Sequence, residues 1–337
     1  MILIRKSPPI NYYLHKAYIM RQIIEKRKRI KKKIHDDLSN FKEESQNYIK
    51  DVIKMVNSKV GLENLCALIV FGSQIPKNRK RGELSKISDC DILIIVQNSI
   101  EKHTFKSLER FIIPLERKYG FQESKERSKT ILNRILIIFQ KTTGMFVSHF
   151  ITNIHSWNRK RFYKVFSVNK VFSYLLAPRN IVFQSVLSNS KVLYKDECIN
   201  DLGKNFEYNP KVLDMVKSLS LNLFLILGSI FLIPFSTKSI KYLLESVKWS
   251  LKAASCYIFE DSESLPIIIN RFLSIEHSEP NRIKSSQYFA KFIKLRNQPI
   301  LSFNFIIESL YMILKIHLQG ISYRKIMSKL DNIYKKH

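Results

Sequence analysis

The stretch 70-VFGSQIPKNRKRGELSKISDCDILIIV-96 decides the reading of the fold. An apolar run ends at Gly72-Ser73, a basic loop follows, and a second apolar run opens on Asp89-Cys90-Asp91. A short apolar run stopped by glycine reads as a buried strand, so 65–71 (LCALIVF) and 91–97 (DILIIVQ) are expected to be strands. Side chains two apart along a strand share a face, which brings Asp89 and Asp91 together and turns Cys90 away. Their backbones are separated by two rises of about 3.3 Å each, close enough for both carboxylates to serve one cation cluster. Two anions this near raise each other's pKa unless a cation neutralises them, and the hard cation that also meets phosphate is Mg²⁺. The pair is expected at the start of its strand and at the sheet edge, open to a ligand. The plainer alternative is a turn at Ser88-Asp89 that caps the strand, with Asp91 merely exposed.

Gly72-Ser73 supplies the complementary half. Glycine lets the backbone approach a ligand, and a serine hydroxyl beside free N–H groups suits a phosphate. Between the halves, KNRKRGELSK carries Lys77, Arg79, Lys80, Arg81 and Lys86 against the single acid Glu83, so it reads as a phosphate-facing lid.

This order of features resembles the nucleotidyltransferase superfamily, the DNA polymerase beta-like group that includes poly(A) polymerases, CCA-adding enzymes and aminoglycoside nucleotidyltransferases. The resemblance rests on VFGS, then SDCDILII, with Arg81-Gly82 in a somewhat long spacer, and it extends loosely over residues 60–196. It implies two Mg²⁺ ions held by Asp89 and Asp91, with the NTP phosphates held by Gly72, Ser73, Ser88, Arg79 and Arg81. It also implies in-line attack of an acceptor hydroxyl on the α-phosphorus, with release of pyrophosphate.

One part of the family pattern is absent. Many members place a third carboxylate on a later strand, yet no Asp or Glu occurs from Arg127 to Lys195. The strand-like segment 145–153, MFVSHFITN, offers Ser148 and His149 instead. Histidine can take a proton or bind a metal, so His149 is a candidate substitute, the alternative being a satisfied histidine on a half-buried strand. Glu123 and Glu126 are further carboxylates that a loop could bring in. A catalytically degenerate fold that binds nucleic acid, or serves as an antitoxin-like partner, stands as the second functional reading.

The whole chain constrains the partners. With 337 residues, 57 Lys+Arg, 28 Asp+Glu and a formal charge of +29, it favours polyanions, RNA above all. A run of bases at 26–33 (KRKRIKKK) reads either as a solvated helix face or as an RNA-facing arm. The segment 157–166, WNRKRFYKVF, interleaves aromatics with bases. Either bases of RNA stack there, or Trp157, Phe162 and Phe166 point inward with the cations in water. Cys66, Cys90, Cys198 and Cys256 show no metal-ligand spacing, and with no leader pattern at the start the expected compartment is the cytoplasm. The uncharged segment 218–237 is long enough to span a bilayer, but Asn222, Gly228 and Pro234 interrupt it, so a buried core helix ending near 233 is expected and no membrane is favoured.

The expected architecture is α+β: a basic helical arm (1–58), a nucleotidyltransferase-like mixed sheet flanked by helices (59–200), and an all-helical domain (201–337) through which a homodimer could form. Within it, 100–119 reads as a helix kinked or ended by Pro114, 134–140 as a strand, 181–194 as a helix or strand pair, and the tail as helices 286–296, 303–319 and 322–335. Arg296-Asn297 has no nearby histidine, so the HEPN ribonuclease pattern is missing.

Overall fold

A computed structural model describes residues 10–72, 74–75, 90–121, 147–199, 210–233, 239–261, 263–276 and 278–334, the side chains of 10–17, Lys102 and 328–334 aside. Strands β1 (Leu65–Phe71), β2 (Asp91–Val96), β3 (His149–Asn153) and β4 (Ser190–Lys195) form a sheet in the order β3-β2-β1-β4. β1 runs antiparallel to β2 and β4, while β2 and β3 are parallel, so the sheet is mixed. β2 is therefore an inner strand, and the edge position expected for the acid pair is not found. Asp91 owes its half-exposure to its place at the head of β2.

Both faces of the sheet are covered, which is why β1 and β2 read as unbroken apolar runs. Leu68, Val70, Ile92 and Ile94 pack under α1 (Ile10–Leu38), α2 (Glu43–Lys59) and α3 (Lys102–Lys118). Ile69, Phe71, Leu93 and Ile95 pack under four short helices, α4 (Ile154–Asn158), α5 (Phe162–Val165), α6 (Lys170–Leu175) and α7 (Arg179–Ser188). The apolar stripe of α1, Ile30, Ile34 and Leu38 at i, i+4 and i+8, is buried, and Lys28, Arg29 and Lys31–Lys33 stay outside. Lys26 reaches Asp196 at 2.7 Å and Arg27 reaches Glu63 at 2.7 Å, so two cations of the basic run tie the helix to the sheet domain.

Some expectations need correction. α3 continues through Pro114 to Lys118, because Leu108, Ile112 and Glu116 hold its inner face against the sheet on both sides of the proline. Residues 179–195 form helix α7 followed directly by strand β4. The strand expected over 134–140 lies outside the described residues.

From Val212 onward the described elements are all helices: α8 (Val212–Leu232), α9 (Ser239–Phe259), α10 (Leu265–Ile275), α11 (Glu279–Asn297) and α12 (Phe303–Tyr334). The last two expected helices are one, since α12 runs unbroken through Gly320. A Cβ there would lie 3.2 Å from both Ala254 Cβ and Met215 Cε, so Gly320 serves close helix approach, not chain reversal. α8 is only partly the buried core helix expected. It buries Met215, Ser218, Asn222, Leu225, Ile226, Ser229 and Leu232, while Leu213, Val216 and Leu227 remain exposed.

Candidate active site

The end of β1 and the head of β2 meet where Asp91 lies over Gly72. Gly72 adopts φ +87°, and a Cβ on it would lie 2.5 Å from Asp91 Oδ2. The carboxylate thus lies over a residue that only glycine accommodates, for its backbone angle and for space. Antiparallel pairing sets this up: Phe71 stands opposite Asp91, so the next residue of β1 falls beneath the Asp91 side chain. Beyond the turn, Gln74 is buried and accepts a hydrogen bond of 3.2 Å from Ser45 Oγ on α2, which fastens the start of the loop to the helix layer.

The same register places the other candidates. β3 pairs in parallel with β2, Ile92 with His149 and Leu93 with Phe150, and Ile92 N–H donates to Ser148 O at 2.7 Å. Ser148 therefore stands abreast of Asp91, on the face Asp91 shares with Leu93. His149 takes the face of Ile92, the opposite one. There it is buried, and its Nδ1 donates to Glu116 Oε1 at 2.7 Å, with Tyr48 Oη a longer donor to the same oxygen at 3.5 Å. His149 Nε2 and Glu116 Oε2 have no hydrogen-bond partner among the described residues. Burial, with the nearby Glu116, Cys90 and Asp91, pushes the Tyr48 phenol well above its ordinary pKa, so it stays a donor. A polar layer of Ser45, Tyr48, Glu116 and His149 thus backs the strand that carries Asp91. Sequence reasoning missed Glu116, although a carboxylate four residues after Ile112 on an apolar helix face was a readable sign.

Ser73, Arg79, Arg81, Ser88 and Asp89, with Glu123 and Glu126, lie outside the described residues. The segment 157–166 takes the inward arrangement: Trp157, Phe162 and Phe166 are buried against the sheet, with Arg159 and Lys160 in solvent. These rings are thus packed in the core, not laid out for stacking on nucleic-acid bases.

Among the described residues no three His, Cys, Asp or Glu side chains gather as a metal cluster. What the described part of the site offers is one half-buried carboxylate above a glycine turn. That donor set fits Mg²⁺, which is commonly bound by one or two carboxylates together with substrate phosphate instead of an all-protein cage.

No protein-family model and no curated protein matches the chain. Among solved structures the chain is similar to an adenyltransferase. That protein is spectinomycin adenyltransferase AAD(9) from Enterococcus faecialis, solved with ATP and spectinomycin; it shares 12% identity at a TM-score of 0.46, over 81% of this chain and 98% of that one. A likeness this loose decides neither substrate nor chemistry.

Proposed function

We propose that the chain is a Mg²⁺-dependent nucleotidyltransferase that moves a nucleoside monophosphate from an NTP to an acceptor hydroxyl. The Asp91–Gly72 contact carries the reading, because it joins the two halves of the motif at one end of the sheet. Asp91, with Asp89 two residues before it, would hold the metal. When bound, the metal neutralises phosphate charge and acidifies the attacking hydroxyl. On this reading the Gly72-Ser73 turn would offer backbone and hydroxyl donors to the β- and γ-phosphates, and Arg79 and Arg81 would supply positive charge to them. The acceptor oxygen bonds to the α-phosphorus, the bond from that phosphorus to the bridging oxygen of pyrophosphate breaks, and the hydroxyl proton leaves to solvent or a base. The polar layer behind β2 holds the strand that presents Asp91. His149 belongs to that layer, and we give it a supporting role in place of metal ligation. RNA is the favoured acceptor, from the +29 charge and the exposed bases of α1.

One observation favours the second reading, a fold that binds nucleotide or nucleic acid with little turnover. The residue abreast of Asp91, just before β3, is Ser148, not a carboxylate. Incubating the full chain with each α-labelled NTP, Mg²⁺ and either bulk tRNA or a panel of small hydroxylated acceptors separates the two. Label in an acceptor, lost in Asp89→Ala/Asp91→Ala, supports transfer. Transfer that persists in the double variant would sink the proposal. Salt-sensitive RNA binding without transfer assigns the second reading.

A further inference from the structure

α8 and α12 bury apolar residues on their inner sides, yet both also leave large apolar residues in solvent. The inner side of α8 presents Ser218, Asn222 and Ser229, in hydrogen bonds with His317, Ser246 and Ser239 of the neighbouring helices. Its outer side presents Leu213, Val216 and Leu227, exposed by 60%, 47% and 60%. On α12 the exposed apolar residues include Phe303, Ile307, Tyr311, Leu314 and Leu318, each between 40% and 69% exposed. An ordinary amphipathic helix keeps its outer side polar.

The α12 residues follow steps of four, four, three and four. From Ile307 to Leu318 this is the spacing of a seam that packs knobs into the holes of another helix. The two exposed faces also lie side by side. Ser218 meets His317, and Met215 meets Gly320, so α8 and α12 run antiparallel, with Leu227 level with the Ile307 turn. The seam residues bear no charge, although the chain as a whole is at +29.

We propose that this two-helix face binds the same face of a second copy, giving a two-fold symmetric dimer. A helical seam calls for another helix, and an isologous contact supplies one from the same sequence. The exposed apolar area, roughly 100 Å² for each of these side chains, amounts to about 800 Å² per partner, the share a stable interface of standard size needs. A polyanion is a poor fit to an uncharged seam. Insertion of α8 across a bilayer is opposed by its inner side: Asp214 accepts from Asn180 at 2.9 Å, and Ser218 is bonded to His317. The dimer would carry both candidate active sites outside its interface, since the seam lies on α8 and α12 and the sites on the sheet.

Sedimentation equilibrium of the full chain from 1 to 100 μM, at 0.15 and 0.5 M salt, tests this. The expected result is a reversible dimer, tighter at high salt because screening relieves repulsion between two basic chains. Ile307→Asp and Leu227→Asp should each weaken it by about tenfold or more. A wild type that stays monomeric throughout overturns the proposal. So does a dimer that folded variants leave unchanged, or a monomer that sediments with vesicles of phosphatidylcholine and phosphatidylglycerol, which would assign the face to lipid. If far-UV circular dichroism shows that the variants do not fold, the wild-type measurement decides alone.

Discussion

The Asp91 carboxylate fills the space that a side chain at Gly72 would need, 2.5 Å from the position of the missing Cβ. The end of one strand and the head of the next are thereby fitted to each other. Gly72→Ala must push Asp91 aside and also hold alanine at φ +87°, which costs on the order of 1–3 kcal/mol. Urea unfolding should show that loss. Nucleotide transfer by the remaining folded protein should fall by at least about tenfold, since the carboxylate no longer stands over the turn.

Glu116 and His149 form a buried pair at 2.7 Å behind β2. Removing one partner leaves the other desolvated without compensation, so Glu116→Ala and His149→Ala should each destabilise the fold by about 3–5 kcal/mol. Glu116→Gln keeps an oxygen to accept from His149 Nδ1 and should cost clearly less. Denaturant midpoints of the three variants check this order, and equal losses would contradict it.

His317 gives the helical region a pH dependence. Its Nδ1 lies 2.8 Å from Ile313 O, which can only accept, so Nδ1 carries the proton and Nε2 accepts from Ser218. Burial of the ring lowers its pKa from 6.5 to about 4. The unfolded imidazole takes up its proton near 6.5 and the folded one only near 4. Stability from this site is therefore full above pH 6.5 and declines as pH falls toward 4, by on the order of 3 kcal/mol in all. Thermal unfolding across that range should show the decline, and His317→Gln should flatten it. Asp51 acts in a lower window. Bonded first to Tyr119 and then to Lys54 and Lys118, its carboxyl is held at about 2 against 3.8, so its contribution is lost only as pH falls from 3.8 to 2.

Gly320 lets α12 lie close to α8 and α9. Gly320→Leu should lower stability by about 1–3 kcal/mol through overpacking against Ala254 and Met215, measurable as a reduced urea midpoint.

β1 and β2 were legible because both faces are buried, which leaves an apolar run that glycine and aspartate punctuate cleanly. Their pairing, and with it the inner place of β2, was not, because strand order comes from packing that no local pattern records. His149 was readable as a polar residue on an apolar strand. Its partner was not, since Glu116 comes from a helix more than thirty positions earlier and meets it only across the sheet face. The register Phe71–Asp91, which brings the Asp91 carboxylate over Gly72, is written in neither segment alone. The join of the two tail helices at Gly320 was hidden because glycine reads as a breaker unless the neighbouring helix is known.

The central claim is that the Asp91–Gly72 junction receives a metal–nucleotide complex, and equilibrium dialysis of α-labelled NTPs against the full chain tests it most directly. Binding should require Mg²⁺ and be weakened about tenfold or more by Asp91→Ala in a protein that remains folded. Binding of equal strength without Mg²⁺, or unchanged in Asp91→Ala, would contradict it.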